Sequence, residues 1–138
     1  MRYLGLDLGT KTIGLAISDK TALIATSYKV LHHDNNPESC LGELKSIIES
    51  FNIEALVLGL PKNMNNTLGE RAEATLKFKE FLESNLNIPI YLEDERLTTK
   101  SAESLLLEGN TSRKKRKKVI DKVAATIILQ SFLDKRRK

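Results

Sequence analysis

The chain has one cysteine, three prolines, no tryptophan, and no apolar run near the ~20 residues needed to span a bilayer. A lone Cys40 excludes an internal disulfide and suits a reducing compartment. Aromatic residues make up 5% of the chain, so aliphatic side chains must supply most of the core. The amino end, Met1 to Asp7, lacks the apolar stretch and small-residue cleavage site of a signal peptide, and a cytoplasmic protein is expected. Two ordinary phosphate cradles are also missing. Gly9 and Gly14 have the spacing of a P-loop, but Leu15-Ala16 stand where that motif needs Lys followed by Ser or Thr. The G-x-G-x-x-G spacing of a dinucleotide site is absent from the first turn.

What is present is a lopsided charge. From Arg113 to the end there are eleven basic and two acidic residues, a net +9, whereas the preceding 112 residues carry eleven basic and sixteen acidic, a net −5. Such asymmetry suggests a polyanion held near the carboxyl end. Lysine-rich runs are also common as solvated tails, so charge alone leaves both readings open. The 138 residues suffice for one domain, a single sheet with helices on its faces, but not for two lobes.

Alternation predicts a strand over Arg2 to Leu8, a turn over Gly9 to Thr12 and a strand over Ile13 to Asp19. With Thr10-Lys11 as the loop, Gly14 faces Asp7 and Ala16 faces Gly5 across the hairpin. Both strands then have one bulky face and one nearly bare face, with Asp7 on the bare side. Space for a ligand or close packing of a helix would each explain the small residues. A third strand is predicted at Ala22 to Leu31 and a loop at His32 to Pro37. Helix spacing then covers about Glu38 to Ser50 through Leu41, Leu44, Ile47 and Ile48. Ile53 to Leu60 reads as a strand buried on both faces. Thr67 and Glu70 match a capping box for a helix from Leu68 to about Ser84, with Ala74, Phe78, Phe81 and Leu82 buried. A fifth strand follows at Ile88 to Glu93, then a helix at about Thr99 to Glu108, stopped by Gly109-Asn110. The last helix is expected at Val119 to Leu133, packed through Ile120, Val123, Ala124, Ile127 and Ile128. The order implies an α/β fold with a five-stranded mixed sheet.

Carboxylates are the most informative chemical groups. Nucleases that use two divalent ions need several acids converging on rigid elements. Asp7 sits within an otherwise apolar strand, where an isolated acid is costly. Glu93-Asp94-Glu95 closes the fifth strand, and the residues alone do not choose among its three acids. Asp121 falls in the first turn of the last helix, where an acid also suits the helix dipole. His32 and His33 read as exposed loop residues rather than zinc ligands. Cys40 reads as a small packed side chain rather than a nucleophile.

Four blocks then resemble one family. Gly5-Leu6-Asp7-Leu8-Gly9-Thr10-Lys11-Thr12-Ile13-Gly14-Leu15-Ala16-Ile17-Ser18-Asp19 resembles the opening of the YqgF (RuvX) family. So do Val57-Leu58-Gly59-Leu60-Pro61-Lys62-Asn63-Met64, Asp94-Glu95-Arg96-Leu97-Thr98-Thr99 and Ile120-Asp121-Lys122-Val123-Ala124-Ala125. The resemblance implies an RNase H-like fold and a cytoplasmic, metal-dependent nuclease that processes the 5′ end of precursor 16S ribosomal RNA. It further implies Asp7, Glu95 and Asp121 as catalytic acids holding Mg²⁺ or Mn²⁺. Thr12 and Asn66 depart from the residues that the family often has, arginine and glycine, so a basic contact at the first turn falls to Lys11. Lys11, Lys62, Arg96 and the run Arg113, Lys114, Lys115, Arg116, Lys117 and Lys118 are then the expected nucleic-acid contacts.

Three rivals remain. A junction resolvase acting on branched DNA would use the same chemistry and should be a dimer. The Asp7 to Thr12 segment also resembles the first phosphate loop of actin-like ATPases and sugar kinases, but those need two lobes. A non-catalytic RNA-binding or assembly factor on a nuclease fold is the third; a ribosomal assembly partner and an oligomer are left open by the sequence.

Overall fold

The computed structural model describes residues 2–61, 69–94 and 113–136, with side chains in the last segment from residue 124 onward. Its strands are β1 (Arg2–Leu8), β2 (Thr12–Ser18), β3 (Ala25–His32), β4 (Ile53–Leu60) and β5 (Ile90–Asp94). Its helices are α1 (Leu41–Phe51), α2 (Glu70–Asn85) and α3 (Arg113–Arg136), with a 3₁₀ turn at Pro37–Cys40 before α1. The strands form one sheet in the order β3-β2-β1-β4-β5. β1, β2 and β3 pair antiparallel, whereas β4 pairs parallel to both β1 and β5. The expected helix at Thr99 to Glu108 lies outside the described residues.

The hairpin has the predicted register. Asp7 pairs with Gly14 and Gly5 with Ala16, leaving Thr10-Lys11 as the loop closed by Gly9 N–H to the Thr12 carbonyl at 2.6 Å. Period-two alternation then sorts the side chains into two layers. Leu4, Leu6, Leu8, Ile13, Leu15, Leu56 and Leu58 share a core with Leu44 and Ile47 of α1 and Phe78 and Leu82 of α2. On the opposite face Tyr3, Ala16, Ala55 and Val57 meet Ala125, Ile128, Leu129 and Leu133 of α3.

The small residues of that second face are there for the helix. A Cβ on Gly5 would stand 2.8 Å from the Leu129 Cβ and 3.0 Å from the Ala125 carbonyl oxygen. A methyl carbon does not fit at the first distance and is crowded at the second, so the bare backbone of Gly5 sets how closely α3 approaches. Gln130 secures the helix to the sheet edge. Its Oε1 accepts from Ala25 N–H at 2.8 Å, and its Nε2 donates to the Leu23 carbonyl at 2.9 Å.

Several expectations need correcting. α3 begins at Arg113 rather than Val119, because lysine and arginine are good helix formers and the basic run continues the helix. Its buried stripe is Ala125, Ile128, Leu129 and Leu133, with Ala124 and Ile127 only half-buried, because the groove over Gly5 rather than hydropathy sets the helix phase. The side chains of Ile120 and Val123 lie outside the described residues. α2 starts at Glu70, with Gly69 at its cap and no side-chain capping bond, so Glu70 cannot be the third residue of a capping box. Thr67 lies outside the described residues. Ala74 is exposed and Thr75 takes the core position, satisfying its hydroxyl on the Arg71 carbonyl at 2.9 Å. β3 starts three residues late. Asp19 instead caps the β2–β3 connection by accepting from the Thr21 hydroxyl and from Leu23 and Ile24 N–H at 2.9 and 3.0 Å. The Thr21 hydroxyl first, then the backbone donors, hold the Asp19 carboxyl down to about 2.

The Gly5 contact makes a direct prediction. Gly5→Ala should lower stability by about 1–3 kcal/mol through overpacking against α3. Gly42→Ala, on the open face of α1, should cost nothing or add up to about 1 kcal/mol. Urea unfolding of the two variants checks this; equal effects would contradict the contact.

Candidate nuclease site

Asp7 stands on the α3 face of β1, in the same pleat as Tyr3 and Gly5, one residue before the strand ends. Its hairpin neighbour is Gly14. On the other side β1 and β4 pair up to Leu6 and Leu58, so Asp7 and Gly59 are the next residues along the two strands. Gly59 in turn pairs with Glu93 on β5. A carboxylate thus lies in a row whose adjacent members, Gly14 and Gly59, contribute no side chain. Asp7 itself is half-buried.

The helix direction determines what can meet it. Phe132 touches the Tyr3 ring at 5.5 Å, whereas Ala125 and Leu129 lie over Gly5. Moving along β1 from Tyr3 to Gly5 therefore means moving backward along α3. One further step reaches Asp7 on the strand and the turn before Ala125 on the helix. Residue 121 occupies that turn, four positions before Ala125, on the same helical face. It lies in the third turn of α3, not the first, so the expected helix-dipole position at an exposed amino end is corrected. The Asp121 side chain lies outside the described residues.

The acids of β5 separate by pleat. Glu93 is on the α3 face, 5% exposed, and its Oε1 accepts from Lys135 Nζ at 2.5 Å. Its Oε2 has no hydrogen-bond partner among the described residues. Asp94 alternates to the other face, and Glu95 lies outside the described residues. Glu93 is thus no solvated strand end: a lysine from the far end of α3 already holds it, about two strand spacings (~10 Å) from Asp7. Among the described residues no three His, Cys, Asp or Glu gather as a metal group.

The turn after Asp7 is held from outside the hairpin. His33 N–H donates to the Lys11 carbonyl at 2.9 Å, and its ring Nε2 lies 3.1 Å from the Gly9 carbonyl oxygen. Its Nδ1 accepts from Asn36 N–H at 3.1 Å, which places the ring proton on Nε2. The expectation of an exposed loop histidine is thus corrected for His33, which is half-buried; His32, ending β3, is exposed. Lys11 is exposed at the tip. Arg71, in the first turn of α2, donates from Nη2 to the Leu8 carbonyl. Sequence reasoning missed Arg71, since an arginine on a helix surface carries no spacing signal. Lys62 and Arg96 lie outside the described residues, as do the side chains of Arg113 to Lys118, whose backbone forms the start of α3. Cys40 is buried as expected, and burial pushes its thiol up.

This sheet order, with a long helix across the face that bears the first-strand acid, is the RNase H-like fold. Solved structures of similar architecture include Thermus thermophilus RuvC, with a TM-score of 0.58 at 16% identity, covering 99% of this chain and 96% of that one. Another is the fowlpox virus Holliday junction resolvase, with a TM-score of 0.55 at 14% identity, covering 98% and 99%. The family model described as "RuvX: Holliday junction resolvase" matches residues 1–135, and the chain belongs to that family. A relative from Geobacillus sp. is 49% identical over 138 residues, covering 99% of this chain and 100% of its own. One from Listeria monocytogenes is 49% identical over 135 residues, covering 97% and 98%. Both carry the name "Putative pre-16S rRNA nuclease".

The Glu93–Lys135 pair gives a stability prediction. Lys135→Met strands a buried carboxylate and should cost roughly 1–3 kcal/mol. The double variant Glu93→Leu with Lys135→Met should recover most of that loss, as read from urea midpoints. An unaffected Lys135→Met protein would contradict the pairing.

Proposed function

We propose that this chain is a divalent-metal-dependent nuclease that cleaves phosphodiester bonds at the 5′ end of precursor 16S ribosomal RNA. The observation that carries the reading is Asp7, held on the α3 face beside Gly14, in a chain about half identical to relatives bearing that name. The proposed catalytic set is Asp7, Glu95 and Asp121. Three carboxylates are hard oxygen donors of the kind that suit Mg²⁺ or Mn²⁺, and the side-chain-free row around Asp7 fits an ion held by them. Bound there, such ions would lower the pKa of a water nucleophile and stabilise the charge that develops on the phosphate oxygens.

The chain's own part is placement. Asp7 is fixed by its pairing with Gly14 on one side and lies one residue past the last β1–β4 pair on the other, so it needs no loop movement to reach its position. The contact of Leu129 over Gly5 supports a fixed approach of the helix that bears Asp121. Lys11, Lys62, Arg96 and the basic start of α3, Arg113 to Lys118, are proposed to grip the phosphate backbone, giving salt-dependent and largely sequence-independent affinity. We read residues 1–138 as one domain acting in the cytoplasm; among the described residues no helix is long and apolar enough to cross a membrane. A second reading, cleavage of branched DNA, is favoured by the family's description and by the resolvase fold.

Cleavage of a 5′-labelled precursor 16S fragment with Mg²⁺ or Mn²⁺ tests both readings, with a four-way DNA junction alongside. The wild-type chain should cut the RNA, and Asp7→Asn and Glu95→Gln should each lose at least about 100-fold in rate, the scale of a lost charge-stabilising group. Cutting of the junction alone would replace the RNA reading. Cutting of neither by folded protein would overturn the nuclease assignment.

A further inference from the structure

We propose that Arg71 contacts a backbone phosphate of the substrate, gripping it from the side of the sheet opposite the basic start of α3. The assignment rests on the nucleic-acid reading above and adds a residue to it. Arg71 reaches over the carboxyl end of β1 from the α1 and α2 layer and donates to the carbonyl of Leu8, the residue after Asp7. A guanidinium has five N–H donors in a planar fork, so this anchor leaves most of them available. Arg71 is exposed, and among the described residues no carboxylate forms an ion pair with it.

An arginine kept only to bind a carbonyl would waste its charge, since a neutral donor would serve the same acceptor. One backbone anchor does, however, orient the fork and reduces the side-chain entropy lost on binding a phosphate. The neighbouring turn is prepared in the same way. The carbonyls of Gly9 and Lys11 are occupied by His33, which rigidifies the loop that presents the exposed Lys11. Arg71 from the α1 and α2 side and Lys11 at the hairpin tip are therefore two exposed cations close to the end of β1.

The other side is supplied by α3. Its course from Phe132 beside Tyr3 to Ala125 above Gly5 leads its earlier turns toward the same end of β1. Arg113 begins the helix twelve residues before Ala125, roughly 18 Å further along the axis. A strand of nucleic acid crossing this edge would pass Arg71 on one side of Asp7 and the backbone of the early turns of α3 on the other.

The test is binding without divalent metal, so that no cleavage is required. The probes are a fluorescein-labelled RNA with the precursor 16S 5′ sequence and an unrelated RNA of equal length, each titrated across a KCl series. Arg71→Gln keeps a donor for Leu8 but removes the charge; Arg71→Lys keeps the charge. Arg71→Gln should weaken both RNAs alike, by roughly tenfold at moderate salt, and flatten the log–log salt slope by about 0.7. Arg71→Lys should retain the slope. A purely structural arginine would instead lower the thermal midpoint in both variants with the slope unchanged, and that result would overturn the assignment. Binding of RNA by a wild-type chain that still does not cleave it once Mg²⁺ or Mn²⁺ is added would overturn the nuclease reading and leave Arg71 in place. No RNA binding by the wild type would overturn both.

Discussion

The seating of Leu129 on the bare backbone of Gly5 is the contact from which the rest of the arrangement follows. It fixes the distance between α3 and the sheet, the phase of the helix and the level at which its earlier turns cross β1. Because the helix runs against β1, the same contact that buries Ile128 and Leu133 carries residue 121 toward the strand end where Asp7 stands. Packing and the assembly of the proposed site are thus a single constraint. A methyl group added at Gly5 would strain the core and shift the acid-bearing turn together.

The sheet has two faces with different duties. Leucine and isoleucine side chains against α1 and α2 supply an apolar layer, which leaves the other face free to carry glycine, alanine and a carboxylate. Asp7 needs that freedom. Between bulky neighbours a carboxylate would be desolvated with no room for compensating groups, whereas Gly14 beside it gives up that volume. Glu93, in the same row, illustrates the alternative fate of an acid on this face: it is buried and held by Lys135, and so serves to tie the end of α3 to β5.

The hairpin was legible because strand alternation has a strict period and the two-residue loop leaves one register. Gly5, Asp7, Gly14 and Ala16 therefore fell on one face from sequence alone, and the structure pairs them so. That reading kept open a ligand or a helix over the small residues; Gly5 lies under Ala125 and Leu129, while Asp7 lies one step further along β1, toward the earlier turns of α3. The phase of α3 was not legible, because Ala124 and Ile127 are as apolar as Ala125 and Ile128, and only the groove on the sheet distinguishes them. The helical start at Arg113 was not legible because the expected helix followed the apolar spacing from Val119, although the basic residues before it propagate a helix well. Glu93 could not be separated from Asp94 without its partner forty-two residues away. Arg71 and His33 gain their roles from backbone carbonyls at the end of β1, which no side-chain pattern reports.

The proposed site requires Asp7 and Asp121 to share one ion across the β1–α3 contact. Calorimetric titration with Mn²⁺, in the absence of nucleic acid, measures this directly on the wild-type chain, Asp7→Asn and Asp121→Asn. The account predicts that each substitution weakens the same Mn²⁺ site by tenfold or more, about 1.4 kcal/mol or above, while the unfolding midpoint stays near that of the wild type. Mn²⁺ affinity left intact by both substitutions would contradict it.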